Sequence, residues 1–127
     1  MFMIRNMDII KFLFTLSTSV KLYHWQTGSY ARHKSSDELF DKVTSLTDKL
    51  LEVYQGKYGK VSSSKALNIS VESFSDGGVV EFLKESIKWL QDIDKNTKIT
   101  SKDTDLLNIR DELVGEINQT IYLFSFK

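Results

Sequence analysis

Residues 21–60 read KLYHWQTGSYARHKSSDELFDKVTSLTDKLLEVYQGKYGK and contain both histidines of the chain, His24 and His33. They also contain a row of carboxylates, Asp37, Asp41, Asp48 and Glu52, at spacings that repeat on a helix. With His33 as zero and a step of about 100° per residue, Asp37 falls at roughly 40°, Asp48 at roughly 60° and Glu52 at roughly 100°. Phe40, Thr44 and Leu51 fall within about 20° of His33 on the same count. Such a stripe fits neither of the usual helix faces. Water does not call for Phe and Leu, and an apolar core does not take three unpaired acids.

Axial distance divides the stripe into two halves. His33 and Asp37 are one turn apart, as are Asp48 and Glu52, but the pairs are separated by about 22 Å along the axis. One ion cannot join them within a single chain. A second copy of the helix, packed antiparallel about a two-fold axis near Lys42 and Val43, sets the His33/Asp37 end of one copy against the Asp48/Glu52 end of the other. A two-fold interface is isologous, so the combined site appears twice per dimer.

The flanking sequence supplies the rest of the scaffold. With 127 residues, 41% apolar and 27% charged, the chain is expected to form a single domain over 1–127. A formal net charge of zero gives no bulk attraction to nucleic acid or to anionic membranes. The chain has no cysteine, which excludes disulfides and thiol chemistry, and no proline, which suits long helices. Asn6, Asp8 and Lys11 interrupt the apolar opening, so it does not read as a signal peptide, and no run approaches a membrane span. A cytoplasmic location is expected, the host's cytoplasm if the source is viral.

Four helices are expected. The first starts at Asn6 or Asp8, carries Ile9, Leu13, Leu16, Val20 and His24 on one stripe, and stops at Gly28. A histidine on such a stripe is most simply a core residue hydrogen-bonded to a backbone carbonyl. The second helix resumes near Ser29 or Tyr30 and runs to about Gln55, with Gly56 as its C-terminal cap. So short a connection makes the two helices antiparallel and brings His24, His33 and Asp37 to one end of a hairpin. Two imidazoles and a carboxylate suit a divalent transition metal. Residues 57–76 show no period, and about twenty residues is long for a loop unless it crosses the length of a bundle. That crossing makes the second and third helices parallel. The third starts after Gly77-Gly78 with Val80, Leu83, Ile87 and Leu90 inward and Trp89 at the flank. A polar connection, DKNTKITS, follows at 94–101. The fourth is capped by Thr100 or Ser101 and carries Leu106, Ile109, Leu113, Ile117, Ile121 and Phe124, with Arg110 snorkelling at its edge. The acid pairs Glu81/Glu85 and Glu112/Glu116 read as solvated. The expected architecture is all-α, a four-helix bundle with a long crossover between helices two and three.

The order HWQTGSYARHKSSD followed by TDKLLE resembles the signature of Dps-type miniferritins, in the ferritin-like family. In that family a His-Trp pair ends the first helix, a His and an acid follow at i, i+4 on the second, and an Asp and a Glu lie 15 and 19 residues beyond that His. Here these positions are His24-Trp25, His33 with Asp37, and Asp48 with Glu52. The chain is also similar to uncharacterised ferritin-like proteins of phages and large DNA viruses over its HWQT…SYA.H…YQGKYG core. The likeness covers about 40 residues. It implies a ferritin-like bundle and a di-iron ferroxidase site across a two-fold interface, with His24, His33, Asp37, Asp48 and Glu52 as ligands. Iron, or another divalent transition metal, is the implied cofactor, and a homodimer or larger homo-oligomer the implied assembly. Three features depart from the family. The His24–His33 interval is three residues shorter than in Dps proteins, which implies a tighter hairpin. The lysine-rich tail through which some members bind DNA is missing, so no nucleic-acid partner is expected. The Glu-x-x-His pairs of ferritins are absent. Two other readings stay open. One is a non-enzymatic helical dimer with a structural or interaction role in a virus, its acids residual or paired with lysines such as Lys34 and Lys49. The other is a different oxygen- or manganese-dependent catalyst on the same carboxylates.

Overall fold

The computed structural model describes residues 4, 7–61 and 66–126, and these are all-helical, with no strand among them. Five helices follow in order: α1 (Ile9–Gln26), α2 (Tyr30–Tyr58), α3 (Asp76–Gln91), the single turn α4 (Ile93–Asn96) and α5 (Thr104–Phe124). None is long and apolar enough to cross a membrane.

Local chemistry sets the helix ends. Asp8 caps α1 by accepting from the Lys11 amide at 2.8 Å. Asn6, the other expected cap, lies outside the described residues. The whole expected stripe of α1, from Ile9 to His24, is buried, joined by Phe12, Thr15, Ser19 and Tyr23. Ser29 caps α2 by accepting from the Arg32 amide at 3.2 Å. The helix then runs straight past Gln55. Gly56 is an ordinary helical residue and Gly59, at φ 86°, is the cap, because its amide still reaches the Gln55 carbonyl. Ser75 caps α3 through the Gly78 amide at 3.0 Å, so Gly77 and Gly78 form the first turn rather than precede it. The inward face of α3 is rotated from expectation. Val79, Phe82, Leu83, Ser86, Trp89 and Leu90 are buried, whereas Val80 and Ile87 are only half-buried. Trp89 causes the rotation: it stacks on Phe12 at 4.0 Å and donates to the Met7 carbonyl at 3.2 Å. Part of the expected polar connection is helical, since buried Ile93 anchors the extra turn α4. Asp103, not Thr100 or Ser101, stands at the N-terminus of α5. The α5 stripe is buried as expected, apart from half-buried Ile121.

Contacts at the helix ends give the direction of each long helix. Arg32 near the start of α2 lies over the Phe124 ring at the end of α5 (4.8 Å), and Lys57 at the end of α2 reaches Asp105 at the start of α5 (2.6 Å). These two helices are therefore antiparallel. Tyr23 at the end of α1 meets Asp76 at the start of α3. Arg32 also meets Asp76 (3.8 Å), so α2 and α3 begin at the same end and run the same way. The segment joining them must return over the length of α2, about 43 Å for its 29 residues. The expected parallel course of the second and third helices is thus present. Arg110 is largely covered at the edge of α5 and donates to the Leu90 carbonyl at the end of α3 (2.9 Å).

Candidate metal centre

The α1–α2 connection is three residues, Thr27 to Ser29, and it closes the hairpin tightly. His24 near the end of α1 and His33 in the first turn of α2 stack ring on ring, centroids 3.9 Å apart and planes 18° from parallel. Their hydrogen bonds are reciprocal: His24 Nδ1 donates to the His33 carbonyl at 2.6 Å, and His33 Nδ1 to the His24 carbonyl at 2.9 Å. A carbonyl oxygen can only accept, so each Nδ1 carries the proton. In the neutral imidazole each Nε2 then keeps its lone pair. Fully buried Ser36 donates to the His33 carbonyl at 3.2 Å and backs the pair. The plain reading of His24 as a core histidine bonded to a backbone carbonyl holds, and the same bond is the kind that orients metal-binding histidines.

Asp37 lies one turn beyond His33, half-exposed, with its Oδ1 3.8 Å from His24 Nε2. The structure thus brings His24, His33 and Asp37 to one end of the hairpin. It also brings a residue that the spacing argument left unassigned. The Lys21 ammonium donates to the same Asp37 Oδ1 at 3.0 Å and holds the Asp37 carboxyl below the usual carboxylate range. Lys21 is one turn before His24 on the same helix, a spacing that sets the two on one face but does not say which carboxylate the ammonium meets. The ammonium also lies over the Phe40 ring at 4.7 Å and the Trp25 ring at 5.7 Å.

Asp48 and Glu52 are elsewhere. α2 is continuous between the two halves of the stripe, so both acids sit at its far end, exposed. Asp41 is exposed as well. The Asp48 carboxyl, one turn away, raises the Glu52 carboxyl above its usual range through a shared hydrogen bond and like-charge repulsion. Among the described residues, no three His, Asp or Glu side chains converge tightly enough in one chain to hold an ion by themselves. Glu81, Glu85 and Glu112 are exposed and Glu116 half-exposed, in keeping with a solvated role.

Two further polar clusters tie the bundle ends. At the histidine end, Tyr23 donates to Asp76 at 2.5 Å, and Arg32 donates to the Tyr23 oxygen (3.0 Å) and to the Asp76 carbonyl (2.9 Å). Burial and the Asp76 bond push the Tyr23 hydroxyl up from its ordinary value. At the opposite end, Asp103 accepts from Lys57 (2.8 Å), from Tyr58 and from the Thr100 amide (2.8 Å). Both clusters join three or more segments and read as fasteners.

No curated protein and no solved structure matches the chain. A match to one family begins at His24 and runs through α5 to Phe124, so the hairpin histidines and all the long helices after α1 fall inside it. By this match over residues 24–124, the chain belongs to DUF5856, a family of unknown function.

Proposed function

We propose that this protein is a ferritin-like four-helix bundle that binds iron at a site shared between two copies. In this reading it oxidises Fe(II) to Fe(III), with oxygen or peroxide as electron acceptor. The observation that carries the reading is the reciprocal Nδ1–H···O=C pairing of His24 and His33, which leaves both Nε2 lone pairs free, that of His24 3.8 Å from an Asp37 carboxylate oxygen. Imidazole nitrogen and carboxylate oxygen are a donor set that suits iron and its neighbours in the first transition row. The exposed Asp48/Glu52 pair supports the second half of the site. Two adjacent carboxylates, of which Asp48 raises the proton affinity of Glu52, attract a cation. The up-down-down-up course of the long helices agrees with the ferritin-like architecture.

Each residue has a task in this scheme. His24 and His33 present nitrogen, and their carbonyl bonds fix ring orientation. Asp37 supplies an oxygen from the same chain. Glu52 of a second copy would help to hold the iron, and Asp48 of that copy would hold it or orient a ligand by hydrogen bonding. Iron held there would supply the one-electron chemistry, and these side chains would position it.

Anaerobic Fe(II) titration of protein of known mass, followed by admission of oxygen, tests the proposal. Two irons per site and an oxidation signal on aeration are expected. His33→Ala and Glu52→Ala should each abolish binding, and a mixture of the two should regain part of it, because one hybrid site keeps all its ligands. A protein that binds no iron in any oligomeric state sinks the reading. The alternative is a helical dimer with a structural or interaction role, favoured by the Lys21–Asp37 pair, which satisfies the carboxylate without a metal. It predicts intact dimers with no metal.

A further inference from the structure

Lys21 and His24 converge on one atom. The ammonium is 3.0 Å and the imidazole Nε2 3.8 Å from the same Asp37 oxygen. An ion bound to His24 Nε2 and that oxygen would press against the ammonium. Lys21 is not a loose surface lysine, since its side chain is only 27% exposed and its charge is held by Asp37 and over the Phe40 and Trp25 rings. The aromatic faces attract the ammonium as the carboxylate does, so it stays at this place while no competing cation is present.

We propose that Lys21 is a built-in competitor for the metal: its ammonium holds the cation position at Asp37, and a divalent ion must displace it to bind. This rests on the metal-binding reading above and adds a determinant of affinity to it. Displacement has a defined cost in contacts, because the ammonium gives up Asp37 and moves away from Phe40. A site filled this way discriminates by charge. A monovalent cation offers Asp37 no more than the lysine does, whereas a divalent ion with nitrogen preference gains the His24 imidazole as well. Lys21 also holds that carboxylate oxygen within 3.8 Å of His24 Nε2. It is therefore a positioning residue as well as a competitor, and it acts on the metal only through Asp37.

The test is Co(II) titration of the full chain, read by visible absorption, on the unaltered protein, Lys21→Met and Lys21→Arg. Methionine keeps the apolar contact with Phe40 and removes the charge; arginine keeps the charge. Lys21→Met should bind about tenfold more tightly than the unaltered protein, from lost repulsion and a freed carboxylate. Lys21→Arg should bind no more tightly than the unaltered chain. Circular dichroism establishes that each variant is folded, and Lys21→Gln replaces the methionine variant if that one is not. Equal affinity in the unaltered and charge-free proteins overturns the role of Lys21 and leaves the metal reading standing. Absence of Co(II) binding in all of them overturns both. Binding by the charge-free variant alone is the strongest outcome in favour.

Discussion

His24 and His33 each commit one ring nitrogen to the other's carbonyl, and that exchange decides what the second nitrogen can do. The acceptors are backbone carbonyls, so replacing either side chain leaves the other ring its hydrogen bond and tautomer and removes only the stacked partner. Asp48 and Glu52 show the opposite situation, two like groups one turn apart that repel. The raised Glu52 carboxyl binds its proton more tightly when folded than when unfolded. The pair therefore favours the folded state below the ordinary value of 4.5, and that contribution is lost as pH rises through the raised value. Asp48→Asn should return Glu52 to ordinary titration, read from its side-chain carbonyl shift by NMR. It should also raise Tm slightly at pH 7 and leave it unchanged at pH 3; equal shifts at both would dismiss the repulsion.

Among the helices, α2 has the narrowest anchorage. Of its 29 residues only Ser35, Ser36, Leu39, Val43, Leu50 and Tyr54 are buried, which leaves the carboxylate stripe outward. Its C-terminus distinguishes two glycines that look alike in sequence. Gly56 is helical with open space where a Cβ would stand, whereas Gly59 has φ 86° and ψ 168°, a region closed to other residues. Gly56→Ala should stabilise by about 0.5–1 kcal/mol and Gly59→Ala destabilise by about 1–3 kcal/mol, measured by urea unfolding. The reverse order would place the helix end at Gln55. The same terminus is fastened to α5 by Asp103, whose side chain is 10% exposed and whose carboxyl is held far below its usual value by Lys57, Tyr58 and the Thr100 amide. Lys57 is in turn pushed up to about 12. A depressed carboxylate contributes stability above its unfolded value of 3.8 and loses it as pH falls through the folded value. Asp103→Asn should lower Tm by several degrees at pH 7, and the gap should close progressively below pH 3.8. A gap that persisted in acid would point to packing rather than charge.

For the molecule as a whole, the hairpin face gathers aromatic surface around the histidines. Trp25 is 68% and Tyr30 75% exposed, next to half-buried Phe40 and the Lys21–Asp37 pair. The pairing of two copies proposed above covers this face, so Trp25→Glu is expected to give monomers in sedimentation velocity while keeping its helical circular dichroism. A monomeric unaltered protein at high concentration, with the metal bound, would require all ligands from one chain and dispose of the two-fold arrangement. The core should be indifferent to that change. It rests on contacts inside one chain, such as the Phe12–Trp89 stack, where Trp89→Ala should cost about 3–5 kcal/mol in denaturant unfolding.

The sequence by itself determined the four long helices and their order, though not the single turn α4, because apolar residues at three- and four-residue steps and Asp8 and Ser29 as caps act over one or two turns. It also determined that His24, His33 and Asp37 share an end and that Asp48 and Glu52 do not, since a three-residue turn and a fixed rise per residue leave no other outcome. Only the tertiary structure decided the rest. The rotation of α3 depends on Trp89 finding Phe12, 77 positions earlier in the chain. The choice between Gly56 and Gly59 depends on how far the backbone ladder of α2 continues, and both glycines permit an end. The placing of Lys21 depends on α1 and α2 packing so that its ammonium meets a carboxylate sixteen residues away. A helical period records which face a side chain occupies. It does not record which charge on the neighbouring helix that face will meet.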